Sequence, residues 1–140
     1  MRFEGKLVKP DGVKNKFWHV EVAILGIYTQ GKTKKDAYDM IKDAIELAID
    51  QPGFHVRVYP GDEDTFTVEA NDRRAFVAFM LKQQRTSHGL TLKQVAKRLK
   101  IESVNAYARY EQGKAVPSHL KLDDLLQAID PKRAPVLKFA

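Results

Sequence analysis

The first half of the chain has the hydrophobic pattern of a small β-sheet. Runs rich in β-branched and aromatic residues alternate with polar positions, and the turn-forming segment Pro10–Gly12 separates the first two. The run Gly26–Gln30 is either a third strand or the second strand continued after a bulge at Gly26. The predicted strands are Lys6–Val8, Phe17–Leu25, Gly26–Gln30, Phe54–Tyr59 and Thr65–Glu69, with Gly61–Asp64 as a hairpin loop.

One amphipathic helix interrupts these strands. Thr33 and Asp36 resemble an N-terminal capping box, with Asp in the position usual for Glu, and Pro52 ends the helix. The predicted order is therefore β-β-β-α-β-β, a small antiparallel sheet with one helix on one face, over residues 1–71. The apolar face of the helix repeats at helical spacing through Ala37, Ile41, Ala44, Ile45 and Ala48.

From Asp72 onward the pattern is helical throughout, so residues 72–140 form a second, all-α domain and the fold class is α+β. A first helix ends near Gly89, and Pro131 stops the last. The positions that define four helices are Ala75, Phe76, Phe79, Met80 and Gln83; Leu92, Val95, Ala96 and Leu99; Ala106 and Tyr110; and Leu122, Leu125, Leu126 and Ile129.

The second and third of these helices have the spacing of a helix-turn-helix. Gly89 is suited to end the helix before them, and Thr91 to cap the second helix. After the turn Lys100–Glu102, Ser103 is predicted to cap a helix from Val104 to Gln112. The spacing predicts Ala106 and Tyr110 on the inner face of this helix, and Asn105, Ala108, Arg109 and Gln112 on its outer face.

The side chains of this outer face suit the major groove of DNA. Asn105 has the amide that reads adenine, Arg109 can bond guanine or hold a phosphate, and Val104 can contact a thymine methyl group. The alternative is a four-helix domain whose polar face only meets water. The uneven charge favours a polyanion partner, because residues 1–71 carry a net charge of −2 and residues 72–140 a net charge of +8.

Composition narrows the classes of protein further. The absence of cysteine excludes a disulfide framework and a thiolate metal site. The N-terminal residues lack the apolar segment of a signal peptide, and no apolar run is long enough to span a membrane. We therefore expect a cytoplasmic protein.

The sequence contains few signs of catalytic or metal-binding residues. The histidines His19, His55, His88 and His119 are scattered and lack the spacing of metal ligands. The acidic segment Asp62–Asp64 is typical of a solvated hairpin tip. We therefore expect neither an enzyme nor a bound metal or cofactor.

The stretch from Arg74 to Ile129 resembles the Cro/Xre family of helix-turn-helix regulators, through Gly89-Leu90-Thr91, Val95-Ala96, Leu99, Glu111-Gln112-Gly113-Lys114 and Pro117. The resemblance implies a mostly buried ion pair between Arg85 and Glu111 that fixes the recognition helix. Leu92 stands where the family usually has a phosphate-binding Gln, and the spacing from Ile101 to Glu111 is one residue longer than usual. The turn or the start of the third helix is therefore expected to differ.

The DNA-binding residues of this domain are predicted from both the residue pattern and the resemblance. Such domains read half-sites about one helical turn apart, so we expect a homodimer or a higher homo-oligomer on operator DNA. The predicted DNA-binding residues are Thr91, Lys93, Gln94, Lys97, Ser103, Val104, Asn105, Ala108, Arg109, Gln112 and Lys114.

The stretch from Ile27 to Leu47 resembles the HicB antitoxin family. In that family a strand ends in a Thr-x-Gly-x-Thr turn, here 29–33, before a helix with Ala and Ile-Glu at these spacings. The segment Asn105–Glu111 also resembles the HicB recognition helix. This implies a partial RNase-H-like first domain that masks a HicA-like mRNA interferase toxin, and a second domain that represses the operon. The usual Pro-Asp-x-Pro-Gly loop is reduced to Ile24–Gly26.

Two other functions remain open at the level of sequence. The chain is a stand-alone Xre-type regulator if its first domain only dimerises or senses a ligand. It is an RNA-binding protein or nuclease if the sheet binds RNA. A short neighbouring reading frame for a basic protein with one key histidine would favour the antitoxin.

Overall fold

The structure is a computed structural model that describes residues 1–139. The chain divides into two compact units, residues 1–73 and 74–139, where the sequence pattern predicts a boundary after residue 71. The elements of the first unit are β1 (Phe3–Val8), β2 (Trp18–Val22), β3 (Ile27–Gly31), α1 (Lys34–Ile49), β4 (Val56–Pro60) and β5 (Thr65–Ala70). They are followed by α2 (Arg73–Ser87), α3 (Leu92–Arg98), α4 (Val104–Glu111) and α5 (His119–Ile129). The α+β class is confirmed.

The first unit holds a five-stranded antiparallel sheet in the order β3-β2-β1-β5-β4. Helix α1 follows β3 and precedes β4, so it connects the two edge strands. Burial alternates along the central strand β1, where Phe3, Gly5 and Leu7 face the core. The buried side chains Ala37, Ile41 and Ile45 of α1 contribute to the same core, whereas Ala48 near its end is exposed.

The strand predicted to reach Leu25 ends three residues earlier, at Val22. Residues Ala23–Leu25 form a 3-10 turn, and Gly26 closes it with a left-handed backbone, φ 63°, and an N–H bond to the Ala23 carbonyl at 3.0 Å. Val22 then lies opposite Ile27 in the β2–β3 ladder. The interpretation as a bulged continuation of the second strand is therefore wrong, and Ile27 starts a separate strand.

Helix α1 begins at the turn predicted to cap it. The amide of Asp36 donates to the Thr33 hydroxyl at 3.0 Å, as in a capping box. The Asp36 carboxylate accepts from the Lys32 amide at 2.8 Å, one residue before the usual partner. At the other end Asp50 has a left-handed backbone, φ 47°, and its amide bonds the Glu46 carbonyl. Both helix ends are therefore hydrogen-bonded locally.

The regular elements of the second unit, in its described residues, are all helices. Its core draws buried side chains from all four helices, which is what allows helices as short as α3 and α4 to persist. These side chains include Met80, Leu81, Val95, Ala96, Tyr107, Ala108, Leu122, Leu125 and Ile129.

Candidate nucleic-acid interface

The same backbone motif ends α2, α3 and α4. In each case the second residue after the helix, which follows the C-cap, has a left-handed backbone: Gly89 at φ 67°, Lys100 at φ 58° and Gly113 at φ 69°. This is the Schellman arrangement, which satisfies terminal carbonyls and turns the chain sharply. The amide of the following residue bonds the carbonyl five positions back in the pairs Leu90–Arg85 at 3.1 Å, Ile101–Ala96 at 3.1 Å and Lys114–Arg109 at 2.9 Å.

A complete capping box starts α3. The Gln94 amide donates to the Thr91 hydroxyl at 3.1 Å, and the Thr91 amide donates to the Gln94 side-chain oxygen at 2.8 Å. The capping role predicted for Thr91 is therefore present. Gln94, predicted only as a DNA contact, is held in a fixed position with its NH₂ group pointing away from this bond.

The end of α3 is fixed to α5. Arg98 donates from Nη1 to the carbonyls of Ala128 and Ile129, at 3.0 and 3.3 Å. These carbonyls belong to the last turn of α5, where a positive charge also interacts favourably with the negative end of the helix dipole. Arg98 therefore has a structural role, while Lys93 and Lys97 of the same helix are exposed.

The connection from α3 to α4 differs from the predicted one in its capping. Ser103 occupies the N-cap position with an extended backbone, but its hydroxyl accepts no capping hydrogen bond. Ser103 is therefore the N-cap residue, as predicted, but it forms no side-chain capping bond. The preceding Lys100 takes the left-handed conformation that glycine adopts more readily, and residues 99–103 separate the two helices.

The residues that α4 buries differ from those predicted for its inner face. Tyr107 is fully buried and Ala108 is 6% exposed, whereas Ala106 is exposed and Tyr110 is partly exposed. The prediction that Ala106 and Tyr110 face inward is wrong, and so is the placement of Ala108 on the outer face. The reason is Glu111, which lies inside the domain. A residue four positions earlier shares its face, so Tyr107 must point inward as well.

Arg85 and Glu111 form the centre of a hydrogen-bond network. Arg85 Nε lies 2.7 Å from Glu111 Oε1 and 3.1 Å from Oε2, and the two side chains are 13% and 6% exposed. The Tyr107 hydroxyl donates to the same Oε1 at 3.2 Å. Arg85 Nη1 also donates to the Leu90 carbonyl at 2.8 Å. The network therefore joins α2, the residues just before α3, and α4.

Tyr107 is held in its neutral form by this environment. Burial raises the pKa of its hydroxyl well above the ordinary value, and the adjacent Glu111 carboxylate raises it further. A neutral Tyr107 remains a hydrogen-bond donor to Glu111 over the whole physiological range of pH.

The remaining predicted contacts lie on the outside of the domain. Asn105 and Arg109 are exposed one turn apart on α4, and the exposed Ala106 stands between them. Ala106 was missed as an outer residue, although the predicted burial of Glu111 already implied that Tyr107 faces inward and Ala106 outward. Of the other predicted contacts, Val104 is partly exposed, and Thr91, Lys93, Gln94, Lys97, Ser103, Gln112 and Lys114 are exposed.

The sheet of the first unit presents a different kind of surface. Lys6 lies opposite Glu21 on its exposed face, and Arg57 lies opposite Glu69. Opposite charges paired across strands are typical of a solvated sheet, whereas RNA-binding surfaces are predominantly basic. This face therefore gives no support to the RNA-binding alternative.

The histidines remain apart in the structure. His19 contacts Asn15 at 2.9 Å, His55 lies 3.7 Å from Glu46, and His88 lies 3.3 Å from Asp130. Residues 1–139 contain no group of three or more potential His or carboxylate ligands close enough to hold a metal ion. The same residues contain no helix long and apolar enough to cross a membrane.

Comparison with known families agrees with this geometry. Residues 81–132, which include the end of α2 and all of α3, α4 and α5, match the family model described as Helix-turn-helix. No curated protein matches the chain. The second unit therefore contains a Cro/Xre-type helix-turn-helix domain, the module of DNA-binding transcription regulators.

Proposed function

We propose that the protein is a repressor that reads operator DNA in the major groove through α4. The observation that carries the proposal is the Arg85–Glu111–Tyr107 network, which fixes α4 with Asn105 and Arg109 facing outward. A recognition helix must be held rigidly if its side chains are to reach base edges. The protein acts by binding, without catalysis.

The outward side chains of α4 predict the bases that it reads. The side-chain amide of Asn105 can form two hydrogen bonds with the edge of an adenine, and the guanidinium group of Arg109 can donate two hydrogen bonds to a guanine. The exposed methyl group of Ala106 suits the thymine methyl. A half-site with these bases close together is therefore expected.

Phosphate contacts come from the residues around α4. Lys93 and Lys97 are one turn apart on α3, and Lys114 follows the end of α4. Thr91, Gln94 and Ser103 present polar groups at the starts of α3 and α4. These contacts would set the orientation on the duplex and carry no sequence information of their own.

Selection from random duplexes tests this proposal. The full chain is incubated with a pool of random double-stranded DNA in 150 mM salt, and the bound fraction is sequenced over several rounds. We expect a motif with two inverted half-sites about 10 base pairs apart. Recovery of no enriched motif would contradict operator reading.

We propose further that the first unit neutralises a HicA-like toxin. The support is the sequence of β3 and α1, where the Thr29–Thr33 turn and the following helix resemble HicB proteins. The net negative charge of this half suits a basic, RNA-binding toxin. The whole protein would then be the antitoxin and autorepressor of a HicAB-type system.

The second candidate is a stand-alone Xre-type regulator. It is favoured by the β2–β3 connection, because Ala23–Gly26 form a tight turn where HicB proteins usually have a longer loop. In this candidate the first unit only dimerises or senses a ligand.

Expression of the neighbouring short reading frame separates the two candidates. For an antitoxin, that frame alone should arrest growth, and co-expression of the full chain should relieve the arrest. The Asn105→Ala/Arg109→Ala variant should relieve it equally, since the DNA-reading residues lie outside the first unit. The absence of such a frame, or an arrest that the chain leaves unchanged, would favour the stand-alone regulator.

A further inference from the structure

Strand β3, against which α1 packs, is an edge of the sheet whose sequence lacks the usual protection. It forms its ladder with β2 alone, and its five residues Ile27–Gly31 include no charge, proline or bulge. Its Tyr28 side chain is 79% exposed. Edge strands with free N–H and C=O groups readily pair with another strand, and proteins normally block this with charges or proline.

The opposite edge of the same sheet is protected. Strand β4 carries the exposed Arg57 and ends in Pro60, which has no amide hydrogen to donate. The contrast indicates that β3 is left open for a partner.

We infer that β3 pairs antiparallel with β3 of a second copy of the chain, forming the dimer that places two helix-turn-helix domains on one operator. The need for a second copy rests on the proposed function, since half-site reading requires two recognition helices. A two-fold axis makes both subunits use the same strand, as a self-complementary edge requires. The result is a continuous ten-stranded sheet across the dimer.

The ends of β3 fix the register of this pairing. Gly26 turns away in a left-handed conformation, and the Lys32 amide is bonded to Asp36, so five residues remain to pair. They span about 17 Å. The register that pairs all five places Thr29 opposite its own symmetry mate.

The side chains are complementary in this register. On the helix side, the partly exposed Ile27 lies opposite Gly31, which has no side chain because a Cβ there would come within 2.3 Å of the Ala37 amide nitrogen. On the open side, Tyr28 lies opposite Gln30 of the other copy. No like charges meet along the paired strands.

Charge pairs across the two-fold axis test the inference in the full chain. Tyr28→Lys/Gln30→Lys places two lysines opposite two lysines, whereas Tyr28→Lys/Gln30→Glu places each lysine opposite a glutamate. Analytical ultracentrifugation over a range of concentrations measures the dimer dissociation constant. Circular dichroism verifies that each variant is folded.

We expect dimerisation about tenfold weaker for the Lys/Lys variant and close to wild type for the Lys/Glu variant. The control Val8→Lys/Val13→Lys adds the same charge at exposed positions outside β3 and should dimerise normally. A monomeric wild type would overturn the inference, and so would equal dissociation constants for all variants or equal weakening in both β3 variants.

Binding to two DNA duplexes distinguishes this inference from the proposed function. The Lys/Lys variant should bind a duplex with two half-sites more weakly and a single half-site with unchanged affinity. If wild type dimerises through β3 but recognises no specific duplex, operator reading fails and the strand pairing stands. If it recognises the duplex but the β3 variants behave alike, the strand pairing fails and operator reading stands.

Discussion

At the contact between α2 and α4, one guanidinium group serves two parts of the helix-turn-helix. Arg85 bonds the Glu111 carboxylate and the Leu90 carbonyl, and Tyr107 bonds the same carboxylate. Removing one member of a buried charged pair leaves the other uncompensated, which is much more costly than removing an exposed charge. The network therefore makes α4 sensitive to single substitutions at these positions.

Glu111→Ala should lower the free energy of unfolding by about 3–5 kcal/mol, because Arg85 then stays buried without its counter-charge. Urea denaturation followed by circular dichroism measures the loss. The control Glu102→Ala removes an exposed carboxylate and should change stability by less than about 0.5 kcal/mol. Equal losses in the two variants would contradict the role given to the network.

Tyr107 should make the protein less stable in alkaline solution. Its pKa is raised in the folded state, so its contribution is complete below the unfolded pKa of about 10 and declines as pH rises above it. The loss should be about 1.4 kcal/mol per pH unit above that value. Denaturation at pH 9, 10 and 11 should show a steeper decline for wild type than for Tyr107→Phe. Parallel declines would contradict a buried, neutral Tyr107.

At the scale of elements, the helix starts differ in how they are capped. Thr91 and Gln94 exchange two hydrogen bonds at the start of α3, whereas the Ser103 hydroxyl forms no cap at the start of α4. Serine is by sequence at least as good a cap as threonine, so the difference between the two helix starts comes from their geometry.

Thr91→Ala should therefore destabilise the protein by about 1 kcal/mol, the usual cost of losing a cap. Ser103→Ala should cost less than about 0.5 kcal/mol, since no capping bond is lost. Midpoints of urea denaturation for the two variants and wild type provide the comparison. A loss for Ser103→Ala as large as that for Thr91→Ala would refute the assignment.

The sequence was sufficient to predict most elements but not the register of α4. That helix is short, and Val104, Ala106, Tyr107, Ala108 and Tyr110 surround it with apolar or aromatic residues, so periodicity alone does not select a face. The deciding feature is a charged residue, Glu111, that is buried because Arg85 pairs with it. The family resemblance predicted this pair, but the apolar pattern of α4 by itself does not show which face Glu111 occupies.

The β2–β3 turn was ambiguous for a related reason. The apolar run from Val22 to Leu25 continues from the end of β2 into the turn. Leu25 is fully buried although it lies outside a strand. Hydrophobicity reports burial, and here it cannot distinguish a strand from a buried turn.

At the scale of the whole molecule, charge separates the two halves of the chain. The first 71 residues have a net charge of −2 and the remainder +8. This asymmetry was visible in the sequence, and it favours the half that contains the helix-turn-helix as the one that binds DNA.

Operator affinity should fall with salt at a slope of about −0.9 for each phosphate neutralised. Lys93→Ala/Lys97→Ala should reduce the magnitude of that slope by about 1.8, because two contacts are lost. Fluorescence anisotropy between 50 and 300 mM salt gives the slopes, and Lys6→Ala/Lys9→Ala in the first unit should leave the slope unchanged. A slope unaltered by the α3 substitutions would exclude these lysines as phosphate contacts.

The most direct test of the central claim is the affinity of the Asn105→Ala/Arg109→Ala variant for the selected operator. Gel-shift titration at fixed salt compares it with wild type and with the control Lys121→Ala/Gln127→Ala on α5, while thermal denaturation verifies that each protein is folded. We predict that the α4 variant keeps its stability and loses specific binding, and that the control binds like wild type. Unchanged operator affinity in the α4 variant would contradict α4 as the recognition helix.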